Sequence, residues 1–238
     1  MAKFGKQMSI SKTIARKIVF PALLGLRADK LLMSGSPNCM VINFHGVTDV
    51  IGNRFNNRHL DVNEFEKTVK YFKNNFEVVS LKELFSLHQS QQKPKRKTIA
   101  ITFDDGYENN FTKALPVLKK YSVPATFYLI SKGLEDDNYF VWPDIIDLVQ
   151  RSAKEDLKIE AGVFKYPGFY CEALKMNLID FLKQAGTKRD SYVNELSAKY
   201  PSYKEMSLKQ PQLINLIRKE TLKPYCNESL IEYGSHTH

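Results

Sequence analysis

Cysteine is scarce: three thiols in 238 residues, Cys39, Cys171 and Cys226, odd in number, far apart and with no C-x-x-C pair. That pattern excludes a disulfide scaffold and a cysteine zinc site, and it fits reduced, buried thiols in a reducing compartment. Long hydrophobic runs are missing too. The best candidate, "IVFPALLGL" from Ile18 to Leu26, is broken by Pro21 and flanked by charge, whereas a spanning helix needs roughly 20 apolar residues. A secretory signal would need a longer apolar core and a small-residue cleavage site, so cytoplasmic residence is the expectation. Neither a D-x-D pair nor a glycine loop able to cradle phosphate occurs, which argues against magnesium-dependent phosphoryl transfer. Internal repeats and low-complexity tracts are also absent.

What is present starts with charge. The formal net charge is +9, but it is concentrated at one end. Between Met1 and Leu32 seven Lys or Arg face a single acid, Asp29. Ile10, Ile14 and Ile18 recur there at helical spacing, which reads either as a surface helix touching anionic lipid or, preferably, as a helix packed on its own domain. A second basic stretch, "QSQQKPKRK" from Gln89 to Lys97, has no interleaved aromatic residue to stack on bases. It is read as a solvated loop, and no nucleic-acid partner is expected.

With 43% apolar residues the chain can bury a sizeable core. The spacing predicts a basic segment over 1–38 and an α/β domain over 39–238. "CMVINF" (Cys39 to Phe44) reads as a buried strand ending at His45-Gly46. In "LDVNEFEKTVKYFKNNFEVVSLKEL", Asp61 and Glu64 form a capping-box pattern, and Val62, Phe65, Val69, Phe72 and Phe76 follow one helical stripe. "TIAITFDDG", a helix marked by Phe111, Leu115, Leu118 and Tyr121, and "VPATFYLI" make a strand-helix-strand unit, hence parallel strands with their C-terminal loops on one side. Residues 131–229 read as a mainly helical insertion. It would hold a helix at "WPDIIDLVQ", a hairpin near Ala161-Gly162, and a helix over "EALKMNLIDFLKQAG" stopped by Gly186. "SLIEYGSHTH" then resumes the strand-and-loop pattern, giving about four parallel strands.

The chemistry is expected at the strand ends. Asp104 and Asp105 are adjacent carboxylates at a strand mouth, where like charges raise each other's pKa and call for something to offset them. Adjacent residues of an extended chain point different ways, so one acid is free to ligate a cation while the other handles protons. Gly106 permits a sharp turn. An ordinary β-turn would explain "DDG" alone, but His45 closes the first strand, and His236 and His238 close the last. Imidazole combined with carboxylate favours zinc or another transition ion over magnesium or calcium.

"TFDDGYENN" together with "GSHTH" resembles the polysaccharide deacetylase family, also known as carbohydrate esterase family 4 or the NodB homology domain, whose motifs are T-F-D-D-G and H-[ST]-x-x-H. "VINFHGV" is similar to its early strand. The resemblance implies a distorted (β/α) barrel, present here in incomplete form, and metal-dependent hydrolysis of N-acetyl groups on an acetylated amino-sugar glycan, a surface glycan or its precursor. It also implies roles: Asp104 as general base, Asp105 and His236 as metal ligands, and the Tyr107 backbone amide at the oxyanion. Thr237 would support the loop, and His238 stands at an x position of the second motif. That motif's final histidine would fall beyond His238, so the resemblance implies a chain truncated within the motif. The alternative is a glycan-binding or interaction remnant without turnover.

Overall fold

The computed structural model describes residues 39–49, 58–90, 94–136, 138–209 and 211–236. The basic segment, Thr237 and His238 lie outside them.

Strand β1 (Cys39–Phe44) is followed at once by β2 (Gly46–Thr48). Then β3 (His59–Asp61) leads into α1 (Val62–Asn75), β4 (Glu77–Val78) and α2 (Leu81–Gln89). Asp61 caps α1 as the spacing predicts, its carboxylate accepting from the amides of Asn63 and Glu64 at 2.8 and 3.3 Å. Phe65 and Val69 are fully buried. The single helix read from this stretch is in fact two, with β4 between them. Ser80 and Glu83 form a reciprocal capping box that starts the second.

β5 (Thr98–Phe103) is buried at every position and β6 (Ala125–Ile130) at all but one, as befits strands covered on both faces. α3 (Leu115–Tyr121) crosses between them. The main sheet has the order β1-β5-β6-β11, with β4 also paired to β5, so it holds five strands rather than four. The β4–β5, β5–β6 and β6–β11 pairs are parallel. The α/β class with a parallel sheet is therefore as expected, and β1 and β11 stand at the two open ends of the strand order. β11 (Ile231–His236) runs beside β6 with Ile231 opposite Ala125 and His236 opposite Ile130. Gly234 faces Tyr128 across this pair, and a Cβ at 234 would fall 2.4 Å from the tyrosine ring. Only glycine lets the ring lie there.

Residues 131–230 carry the expected helices and hairpin together with a second hairpin that the sequence reading did not include. α4 (Ser131–Glu135) and α5 (Trp142–Ser152) precede two small antiparallel hairpins, β7 (Leu157–Ile159) with β8 (Gly162–Phe164), and β9 (Tyr170–Cys171) with β10 (Met176–Asn177). The first hairpin turns where the sequence predicts. The second occupies the front of "EALKMNLIDFLKQAG", so the helix there, α6 (Leu178–Gln184), begins only after Asn177, which caps it by accepting from the Asp180 amide. α7 (Arg189–Lys199), α8 (Tyr203–Lys209) and α9 (Lys219–Leu222) complete the excursion. Its apolar side chains, among them Ile146, Leu157, Phe164, Leu182 and Leu196, form one cluster. The sheet and its covering helices form another around Phe65, Ile101, Phe103, Phe127 and Leu118. A third, small cluster of Tyr107, Ile130, Val141 and Leu216 stands apart from both.

Among the described residues no helix is long and apolar enough to cross a membrane.

Candidate functional site

The C-terminal ends of β1, β5 and β11 converge on one carboxylate. Asp104 follows directly on β5, and its amide donates to the Phe44 carbonyl at 2.9 Å, tying the two strand ends together. Asn43 donates to Asp104 Oδ2 at 2.7 Å and in turn accepts from the Thr102 hydroxyl at 2.9 Å. The same Oδ2 lies 4.0 Å from His45 Nε2 and 3.8 Å from His236 Nε2. Residues separated by nearly 200 positions meet here because parallel strands put their C-terminal ends on one side.

Asp105 and Gly106 both adopt left-handed backbone, with φ of +69° and +71°. An aspartate tolerates this conformation at modest cost, and glycine at 106 is required on a second ground. A Cβ there would lie 2.8 Å from Leu129 Cδ2 and 3.2 Å from its Cα. The consecutive left-handed residues turn the chain back on itself, so Asp105 follows Asp104 without running along its strand. Burial pushes the Asp105 carboxyl up, the imidazoles of His45 and His236 pull it down, and the Asp104 charge pushes it up again. Desolvation plus a mixed shell of charges is a mark of functional carboxylates.

Tyr107 is fully buried. It forms an antiparallel bridge with Leu216, in which Glu108 N donates to Asn215 O at 2.9 Å and Ile217 N to Gly106 O at 2.8 Å. The bonds use the Glu108 N–H as donor and the Gly106 carbonyl as acceptor, so neither takes up the Tyr107 N–H, whose peptide plane the Gly106 carbonyl fixes. Its side chain points elsewhere: the hydroxyl donates to Asp144 Oδ2 at 2.8 Å, and the ring meets the His59 imidazole edge-on at 4.8 Å between centroids.

This second layer was not foreseen. Arg58 forks between Asp144 and Asp147, the latter at 2.8 Å, and thereby joins the start of β3 to α5. Burial pushes the Asp144 carboxyl up to about 7, against the pull of Arg58 and Tyr107. Burial, then Arg58 and His45, push the His59 imidazole down to about 3, so it is neutral at ordinary pH. One sequence signal pointed here: Asp144 and Asp147, three apart, lie on an otherwise apolar helix. An acid on a buried helical face needs a cationic partner.

Asp104, Asp105, His45 and His236 are thus brought to one end of the sheet, with Gly106 and Tyr107 in the turn beneath. No group of three or more His, Cys, Asp or Glu placed to hold a metal ion occurs among the described residues. The donor chemistry available, carboxylate plus imidazole, suits a transition ion, but these residues alone do not complete a coordination shell.

Residues 91–169 match the family profile described as "Polysaccharide deacetylase". YxkH of Bacillus subtilis (strain 168), assigned by name to the polysaccharide deacetylases, is 34% identical over 88 residues, covering 37% of this chain and 32% of that protein. The poly-beta-1,6-N-acetyl-D-glucosamine N-deacetylase of Staphylococcus aureus (strain MSSA476) is 32% identical over 84 residues, covering 35% and 29%. The matched stretch thus spans about a third of the length of these curated relatives. A solved polysaccharide deacetylase from Bacillus cereus is 26% identical with a TM-score of 0.35, covering 45% of this chain and 34% of that one, a superposition too shallow to add an argument.

Proposed function

We propose that this chain, which belongs to the polysaccharide deacetylase family, hydrolyses N-acetyl groups on an amino-sugar glycan, a surface glycan or its precursor. The observation that carries the reading is the meeting of Asp104 with His45 and His236 at one Oδ2 atom, beside the buried Asp105. In the reaction, water adds to the acetyl carbonyl carbon, the C–N bond breaks, and acetate and a free amine leave. Asp104 takes the proton from the attacking water, and Asn43 fixes the rotation of its carboxylate by donating to Oδ2. The Tyr107 amide would donate to the oxyanion that develops on the carbonyl oxygen, held in place by the bonds on either side of it. Asp105 and His236 would hold a divalent ion, zinc by the nature of the donors. Such an ion, when bound, supplies Lewis acidity toward the carbonyl. Cytoplasmic residence is part of the same proposal, and contact of residues 1–32 with anionic lipid, the less favoured reading of that segment, is checked by co-sedimentation with anionic vesicles.

A second reading, glycan binding without turnover, has one observation in its favour: among the described residues no cluster of three ligating side chains occurs. Acetate release from N-acetylglucosamine oligomers, with metal content measured on the same preparation, separates the two. Under the hydrolase reading Asp104→Asn loses activity by about 10²–10⁴-fold, and His236→Ala loses both metal and activity. Undiminished acetate release by Asp104→Asn would end the hydrolase reading.

A further inference from the structure

A cleft of about 470 Å³ opens within residues 131–203, inside the ~300–1,000 Å³ range of small-molecule sites. It lies between the segment that follows β6, the start of α5, and one face of α7. Tyr139, Phe140, Trp142 and Tyr203, with Ile145 and Val193, form its apolar part, and a cation stands over two of the rings. Lys132 Nζ stands 5.3 Å from the centroid of Tyr139, and the Arg189 guanidinium 5.3 Å from that of Trp142. Each cation has an acid in the same lining, Asp136 and Asp190, the latter 3.4 Å from Arg189 Nε. Asn138 and Asn194 add amides at the exposed rim.

The charges balance, two against two, so a polyanion or polycation would meet as much repulsion as attraction here. A neutral polyhydroxylated ligand meets no such penalty. Its hydroxyls donate to carboxylates and amide oxygens and accept from guanidinium, ammonium and amide N–H groups, while the C–H face of a sugar ring lies on an aromatic ring.

One lining residue, Tyr139, connects the cleft to the candidate strand ends. Tyr139 packs against the cluster containing Tyr107 and Ile130, and Ile130 is the register partner of His236. Burial raises the Tyr139 phenol, and the Asp105 charge raises it further, which places the ring within electrostatic reach of that carboxylate.

We propose that this cleft binds the neutral sugar units flanking the one processed at the strand ends, so that the protein selects an oligosaccharide over a monosaccharide. The proposal rests on the deacetylase reading. Its test does not depend on turnover, because Trp142 is the only tryptophan in the chain and its fluorescence reports occupancy of the cleft directly.

The probes are N-acetylglucosamine, its neutral oligomers of two to five units, and an anionic oligosaccharide of matched length. They are titrated into the full chain and into Asp104→Asn, with acetate release followed in parallel. We expect a saturable change in Trp142 emission that strengthens with oligomer length, persists in Asp104→Asn, and weakens about 10-fold in Asp190→Ala, the loss expected from one hydrogen bond to a charged group, and about 5-fold in Asn194→Ala, the loss from a neutral one. Both substituted side chains are exposed, so circular dichroism should show these variants folded. An unchanged emission in a chain that releases acetate overturns the cleft and leaves the deacetylase reading standing. Equal binding of monomer and pentamer, or tighter binding of the anionic probe, also overturns it. Length-dependent binding without acetate release supports the cleft and counts against turnover.

Discussion

At the residue scale the molecule sets two buried titratable groups against each other. His59 is neutral in the folded chain, its pKa pushed from 6.5 to about 3 by burial first and by Arg58 and His45 after that. Between those values the unfolded chain binds the extra proton, so the stability tied to this group is intact above pH 6.5 and drains away as pH falls toward 3. At pH 5 the loss is about 2 kcal/mol. Asp144 runs the other way. Its pKa rises from 3.8 to about 7 in the fold, so the folded chain is the better proton binder across that window, and the penalty for ionising it grows as pH rises. The expected outcome for His59→Gln is a melting temperature that declines less between pH 7 and pH 5 than that of the parent. Parallel declines would mean that His59 takes up its proton alike in the folded and the unfolded chain. For Asp144 the spacing to Asp147 was the one signal in the sequence, and for His59 there was none. Arg58 and His59 sit in a stretch without periodicity, and a histidine's burial depends on what tertiary structure lays over it, here the Tyr107 ring. The strand-end acids and imidazoles were legible because each follows or closes a recognisable strand, and in parallel architecture that position has one address.

Elements were readable where periodicity and caps agreed. α1 carries both its stripe and its cap, and Asp61→Ala should destabilise the fold by about 1 kcal/mol in urea titrations without altering the site. The stretch around 172–177 misled because Glu172, Ala173, Leu174 and Lys175 are all good helix formers. The chain turns there nonetheless, through a left-handed Lys175 with φ of +54°, and propensity yields to the packing of Cys171 and Leu178 in the surrounding core. Asn177, three residues before Asp180, was the signal for a later helix start. For the turn after β5, substitution of Gly106 by alanine forces a methyl group toward the Leu129 backbone and demands left-handed φ from a β-carbon residue. We expect Gly106→Ala to lower the melting temperature and to remove acetate release together, since the turn that is displaced carries both Asp105 and the Tyr107 amide. Full activity at reduced stability would show that the turn geometry does not matter to the reaction.

On the scale of the whole described chain, two large apolar clusters and a small third exist where the composition suggested one. Nothing in residue content distinguishes them, since the division depends on which elements face one another. Phe164 is fully buried in the cluster of the excursion, and Phe164→Ala should cost about 3–5 kcal/mol. Hydrogen exchange should then show amides of α5, β7, β8 and α7 losing protection ahead of those in β5 and β6. Uniform loss across both groups would mean that the two clusters unfold as one unit.

The returning chain enters β11 at Ile231 beside Ala125, although it left β6 at Ile130 beside His236. Departure and re-entry therefore lie at opposite ends of the strand pair, about 16 Å apart at the usual rise per residue. Any two parallel neighbours need such a bridge, and a dozen or so residues suffice. A single short helix would make the same journey. What the longer route adds is a second wall beside the strand mouths, bringing an aspartate up to the tyrosine of the turn and a trench lined with rings alongside. Replacing it with a minimal crossover would preserve the connectivity of the strands and leave Asp104 and Asp105 facing open water.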